Sequence, residues 1–184
     1  MSDQRIFKKE GEFENLNYFI EAYYYATEAN LEISCSSERP DFICIDPNNS
    51  EIGIELVKIT RGDPEQILWD RILVRKDYML PENAIEMIQR VALLKDEKKS
   101  KGDWECPDNT ILLIELVDIP LFEIMMLLEN KTNLPDIDNL SFVEIWLGDY
   151  TGIEPYDNIE LFCLFPDKLR GYFSRQNPMQ KPYG

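Results

Sequence analysis

The chain has 184 residues, 44% of them hydrophobic, and carries a formal net charge of −16 from 19 basic and 35 acidic side chains, with no histidine. That length and apolar content predict one domain, 1–184, with a core over about 12–173, and no need of disulfide staples. The missing histidine excludes Ser-His-Asp and Cys-His nucleophilic sites and the helical zinc-protease motif. Proton transfer near neutral pH then falls to perturbed carboxylates, a lysine, a tyrosine or metal-bound water.

The charge also bears on partners. A duplex-binding protein usually shows a basic footprint, so a nucleic-acid partner is disfavoured by charge, while a basic protein partner suits it. The four cysteines, Cys35, Cys44, Cys106 and Cys163, form no C-x-x-C pair. Cys44 and Cys163 lie in apolar runs and are expected as buried, reduced thiols. The polar start and the lack of any apolar run near the roughly 18 residues of a membrane span predict a soluble, cytoplasmic protein without membrane contact. A homodimer is left open, since no hydrophobic seam specifies one.

In chain order, 1–10 reads as a charged lead-in and 11–28 as a helix, with Phe13, Leu16, Ile20, Tyr23 and Tyr24 at helical spacing. Glu14, Glu21 and Glu28 stand seven apart on one stripe of it. That stripe is either a solvated edge or the source of a carboxylate, Glu14 or Glu21, aimed at a central site. Residues 31–39 are a connector with a short strand at Leu31-Glu32-Ile33. Residues 40–46 and 51–60 read as an antiparallel hairpin closed by Pro47-Asn48-Asn49-Ser50, with Pro40 at a strand start because it donates nothing to a ladder. A helix is expected from Pro64 to about Met79, and a second from Pro81 that turns very polar over 95–101 and stops at Gly102. The lysines of that end, Lys95, Lys98, Lys99 and Lys101, read as an exposed helix end or as a phosphate-contacting patch.

Residues 111–117 are nearly continuous apolar sequence, the signature of a strand buried on both faces. A helix over 120–130, strands over 141–147 and 159–165, a loop over 148–158, one last turn at 166–169 and a loose tail over 174–184 complete the order. Trp69, Trp104 and Trp146 are expected mainly in packing roles, with base stacking as the alternative. The order predicts an α/β protein, a three-layer α/β/α-type sandwich around a central mixed sheet.

Asp41 opens one strand of the hairpin and Glu55 and Lys58 lie in the next. Two carboxylates and a lysine at the heart of a sheet suggest a divalent-metal site. The element order, Glu38-Arg39-Pro40-Asp41-Phe42, Gly53-Ile54-Glu55, the lysine-rich helix and Leu112-Leu113-Ile114 together resemble the restriction-endonuclease-like PD-(D/E)XK superfamily, in a divergent bacterial form. The resemblance spans most of 12–165. It implies a nuclease, active or vestigial, in which Asp41 and Glu55 hold Mg²⁺ (or Mn²⁺), with Glu21, or Glu14, as auxiliary ligand. Metal-activated water would hydrolyse a phosphodiester while Lys58 orients it or stabilises charge on the phosphate. The sequence departs from the family's Glu-x-Lys spacing. Position 57 is Val, and on a regular strand Lys58 faces away from Glu55 unless a bulge intervenes. Some members move the lysine to a following helix, where Lys76 or Lys95 would serve. The alternative is a non-catalytic, immunity- or antitoxin-like binding protein on the same fold, presenting its negative face to a basic partner.

Overall fold

The structure, a computed structural model, describes residues 3–59, 80–102, 104–106, 108–152 and 158–174, with side chains from residue 9 onward. The helix expected over 64–79, with Trp69 and Lys76, and the tail 175–184 lie outside the described residues.

The protein is α/β, with a seven-stranded mixed sheet in chain order β1 to β7. The strands are β1 Glu32–Ser36, β2 Phe42–Ile45, β3 Glu51–Ile59, β4 Thr110–Leu116, β5 Glu144–Asp149, β6 Glu160–Phe165 and β7 Gly171–Phe173. The α-helices among the described residues are α1 Asp3–Thr27, α2 Pro81–Lys101 and α3 Leu121–Glu129. β1, β2 and β3 form an antiparallel meander. β3, β4 and β5 are parallel, and β6 and β7 return antiparallel.

Local chemistry accounts for the elements. At the β2–β3 turn the Asp46 carboxylate accepts from the N–H groups of Asn48 and Ser50, each at 2.8 Å, and Asn49 takes φ 63°. An Asx side chain thus supplies the turn that closes the hairpin. Pro81 occupies the first turn of α2, Glu82 follows it, and Lys98, Lys99 and Lys101 fill the last turn, each suited to its end of the helix dipole. β4 is buried at all seven positions, as its unbroken apolar sequence requires of a strand lying between two parallel neighbours.

Strand alternation divides the core between the two sheet faces. One cluster joins Ile59, Leu112, Ile114, Ile145 and Leu147 of the sheet to α2 and α3. The other joins Ile54, Leu56, Ile111, Leu113 and Trp146 to Leu16, Phe19 and Tyr23 of α1. Helices therefore cover both faces, α1 on one and α2 with α3 on the other. Odd-numbered residues of β3 face α2, and even-numbered ones face α1.

Several boundaries differ from the sequence reading, among them β5, which spans Glu144–Asp149 where a strand over 141–147 is expected. α1 begins at Asp3, so the charged lead-in is helical. β1 runs to Ser36; its residues are largely exposed, and an edge strand with no buried face carries no hydrophobic alternation to read. β7 is only three residues long and pairs with β6. Trp146 is fully buried, and Cys44 and Cys163 are buried free thiols. Burial raises the thiol pKa of Cys44 to about 12, with Cys35 nearby adding to the shift. Among the described residues no helix is long and apolar enough to cross a membrane.

Candidate functional site

The site begins where β2 meets β3. Phe42 pairs with Ile54, so Asp41, one residue earlier, comes level with Glu55. The Asp41 carboxylate fixes this register by accepting the Leu56 N–H through Oδ2 at 2.8 Å. Gly53 makes the approach possible. A Cβ there would meet Pro40 Cγ at 2.6 Å and Thr110 Oγ1 at 3.1 Å. Pro40 rests on the bare backbone of Gly53, two residues before Glu55 on the same face. The Pro-Asp and Gly-Ile-Glu segments are thus one packed unit.

Glu55 points toward α2 and is 5% exposed. Lys95 of α2 reaches down to it. Its Nζ pairs with Glu55 Oε1 and donates to the Leu56 carbonyl at 3.2 Å. Glu55 Oε2 is buried and has no hydrogen-bond partner. Burial raises the Glu55 pKa; the Lys95 ammonium works against the shift, and the Asp41 carboxylate adds to it. The carboxylate is thus under-satisfied even with a cation beside it.

Asp41, Glu55 and Lys95 line a cleft of about 600 Å³ together with Arg39, Lys98 and Trp104. The segment after α2 is stitched to the turn before β2: the Glu105 N–H donates to the Arg39 carbonyl at 2.9 Å, and Ser37 Oγ to Glu105 Oε1 at 3.1 Å. This brings Trp104 into the cleft wall, where it is partly buried against the core rather than wholly within it.

Lys58 does not join this site. β3 pairs with β4 in unbroken register from Gly53 to Ile59, so no bulge rotates it toward Glu55. It projects to the α1 face and pairs with Glu115 Oε2 at 3.5 Å. Glu115 is fully buried, accepts from Asn15 Nδ2 at 3.1 Å, and leaves Oε1 without a hydrogen-bond partner. Its pKa is raised by burial against the opposing charge of Lys58. The assignment of Lys58 to the Asp41–Glu55 pair is therefore corrected, for the reason strand parity gives. Glu14 and Glu21 are likewise not brought to the pair. Both are exposed on α1, which packs on the opposite face of the sheet from Lys95. Among the described residues no group of three or more acidic or cysteine side chains is placed to hold a metal ion.

The lysine patch divides in two. Lys95 and Lys99 continue the buried stripe Ile85, Ile88 and Ala92 at helical intervals. Lys99 is 7% exposed, donates to the Ser141 carbonyl and lies 4.9 Å over the Phe142 ring. Lys98 and Lys101 are exposed on the cleft side, Lys101 paired with Glu97. An exposed helix end describes only those two. A basic residue standing where the stripe calls for an apolar one is a sequence signal that marks Lys95 and Lys99 alike, and only the contact with Glu55 separates them. Arg39, inside the Glu38–Phe42 segment, was legible as part of the motif but not as a cleft cation.

Compared with known proteins, the chain matches no protein-family model, no curated protein and no solved structure.

Proposed function

We propose that the chain is a Mg²⁺-dependent phosphodiesterase of the PD-(D/E)XK type on a restriction-endonuclease-like fold, with Asp41 and Glu55 as the acid pair and Lys95 as the lysine. The observation that carries this is the meeting of those three side chains in one cleft. The order helix, three-stranded meander, helix, parallel strand supports it.

The donors present fit a hard cation. Two carboxylates and the Leu56 carbonyl are all oxygen, and Glu55 Oε2 is a buried acceptor without a hydrogen-bond donor. Asp41 and Glu55 would hold Mg²⁺, or Mn²⁺ in its place, with water completing the shell. The bound ion supplies a Lewis acid for the phosphoryl oxygen and an activated water. Lys95 places its ammonium at the same spot and stabilises charge that develops on the phosphate. Arg39 and Lys98 hold flanking phosphate oxygens at the rim. Four unpaired cysteines, two of them buried, support action in the reducing cytoplasm.

A second reading has one specific observation in its favour. The Lys95 ammonium already bridges Glu55 and the Leu56 carbonyl, so the acid pair has a built-in counter-charge. With a net charge of −16 this suits a vestigial site in an acidic binding protein whose partner is basic. Cleavage of end-labelled oligonucleotides in Mg²⁺ and in EDTA separates the two. The phosphodiesterase reading predicts Mg²⁺-dependent cleavage that Glu55→Gln and Lys95→Met abolish and Lys58→Met retains. Absence of cleavage by the unaltered protein on any single- or double-stranded substrate would favour the binding protein.

A further inference from the structure

Resting on the phosphodiesterase reading for its chemistry, we propose that the cleft takes a single strand or a frayed end, one or two nucleotides deep, and rejects continuous duplex. Three features of the cleft lead there. The first is size. About 600 Å³ is the room of a small-ligand pocket, enough for one or two nucleotides.

The second is charge. The cations of the cleft are Arg39, Lys95, Lys98 and Lys101. Lys95 is held by Glu55 and Lys101 by Glu97. That leaves Arg39 and Lys98 as the cations within reach of phosphate, in a cleft that Glu38 and Asp41 also line and that therefore has no net charge without a metal ion. The chain as a whole carries a net charge of −16. A duplex brings one negative charge per about 1.7 Å of axis, so a long duplex meets far more repulsion from so acidic a chain than a short strand does. A strand end brings only the one or two phosphates that the cleft can neutralise.

The third is Trp104, which lines the cleft beside Lys98 and Lys101 and keeps part of its surface exposed. An aromatic next to a short cationic groove is how single-stranded bases are held without sequence preference, through stacking that duplex bases cannot offer.

The charge count makes the idea quantitative. Two phosphate contacts on a single strand give a slope of log affinity against log salt of about −1.4, at roughly −0.7 per contact. A duplex mode with six contacts gives about −5.

The test uses fluorescein-labelled dT6 and rU6 and a blunt hairpin duplex, with anisotropy measured in EDTA over a salt series. The expected result is that one or both hexanucleotides bind more tightly than the hairpin with a slope near −1.4. The dT6 and rU6 arms distinguish DNA from RNA. Lys98→Glu should flatten the slope by about 0.7, and Trp104→Ala should weaken binding about tenfold or more. Tighter binding of the blunt hairpin, a slope near −5, or no binding of any oligonucleotide would overturn the inference. The same three substrates are then given Mg²⁺. Internal cutting of the hairpin with the hexanucleotides spared overturns the inference and leaves the phosphodiesterase reading standing. Retained hexanucleotide binding in the cleft with no cleavage of anything overturns the phosphodiesterase reading and leaves the cleft assignment standing.

Discussion

Lys95→Met removes the ammonium that Glu55 depends on while keeping an unbranched stem of similar length. In the unaltered protein the pair is largely desolvated: the Glu55 side chain is 7% exposed and that of Lys95 19%. Breaking a buried pair by removing one partner costs about 3–5 kcal/mol, because the other charge is stranded. Two features reduce that here. The ammonium keeps some water, and burial already raises the Glu55 pKa, which lowers the cost of protonating the stranded carboxylate. A loss of about 2–3 kcal/mol at pH 7 follows, toward the lower end of the pair-breaking range. At roughly 2–4 °C per kcal/mol for a chain of this size, Tm falls by about 4–12 °C. Urea unfolding of the single variants and of Glu55→Gln/Lys95→Met closes a double-mutant cycle. The double variant should recover most of the loss, since no charge is left to strand. A loss under about 0.5 kcal/mol in Lys95→Met, below the cost of stranding even a neutral buried polar group, or no recovery in the double variant, would refute the pairing.

Other predictions concern the neighbouring residues. Lys58→Met should leave Mg²⁺-dependent cleavage intact and cost about 1–3 kcal/mol, because it strands the fully buried Glu115 carboxylate although Lys58 itself is half exposed; loss of cleavage in the folded variant would return Lys58 to the site. Gly53→Ala should destabilise by about 1–3 kcal/mol, as its Cβ drives into Pro40, and should depress cleavage by shifting Asp41; urea midpoints and a cleavage assay check both. Glu115 has a folded pKa raised by burial, so its contribution is full below the unfolded carboxyl value of about 4.3 and is lost as pH rises through the folded value. Glu115→Gln should therefore compare more favourably with the unaltered protein at pH 8 than at pH 5, and an equal difference at both values contradicts this.

How much of this was legible in the sequence depends on which element carries the signal. β4 announces itself because a strand buried on both faces must be apolar throughout, and the Pro47–Ser50 turn by its turn-forming residues, although Asp46, whose carboxylate closes it, reads as the end of the strand. β1 and β7 are the edge strands of the described sheet, with ladders made by backbone, so their side chains say little.

The site shows the same division. Asp41 and Glu55 could be placed on adjoining strands by counting, and strand parity already set Lys58 on the wrong side. Choosing Lys95 needed a different count, the helical one. Lys95 falls three residues after Ala92 and seven after Ile88 on the buried stripe of α2, a place where a lysine has to find an acid or a carbonyl. The seven-residue stripe of Glu14 and Glu21 gave no such guide, because an acidic stripe on an exposed helix face does not demand one particular partner.

The central claim is that Asp41 and Glu55 form a seat for a divalent cation. Calorimetric titration with Mn²⁺ of the unaltered protein, Asp41→Asn and Glu55→Gln tests it most directly. One ion per chain in the unaltered protein, with the signal lost in both variants, is the result predicted. No binding to the unaltered protein, or binding that survives both substitutions, would contradict the account.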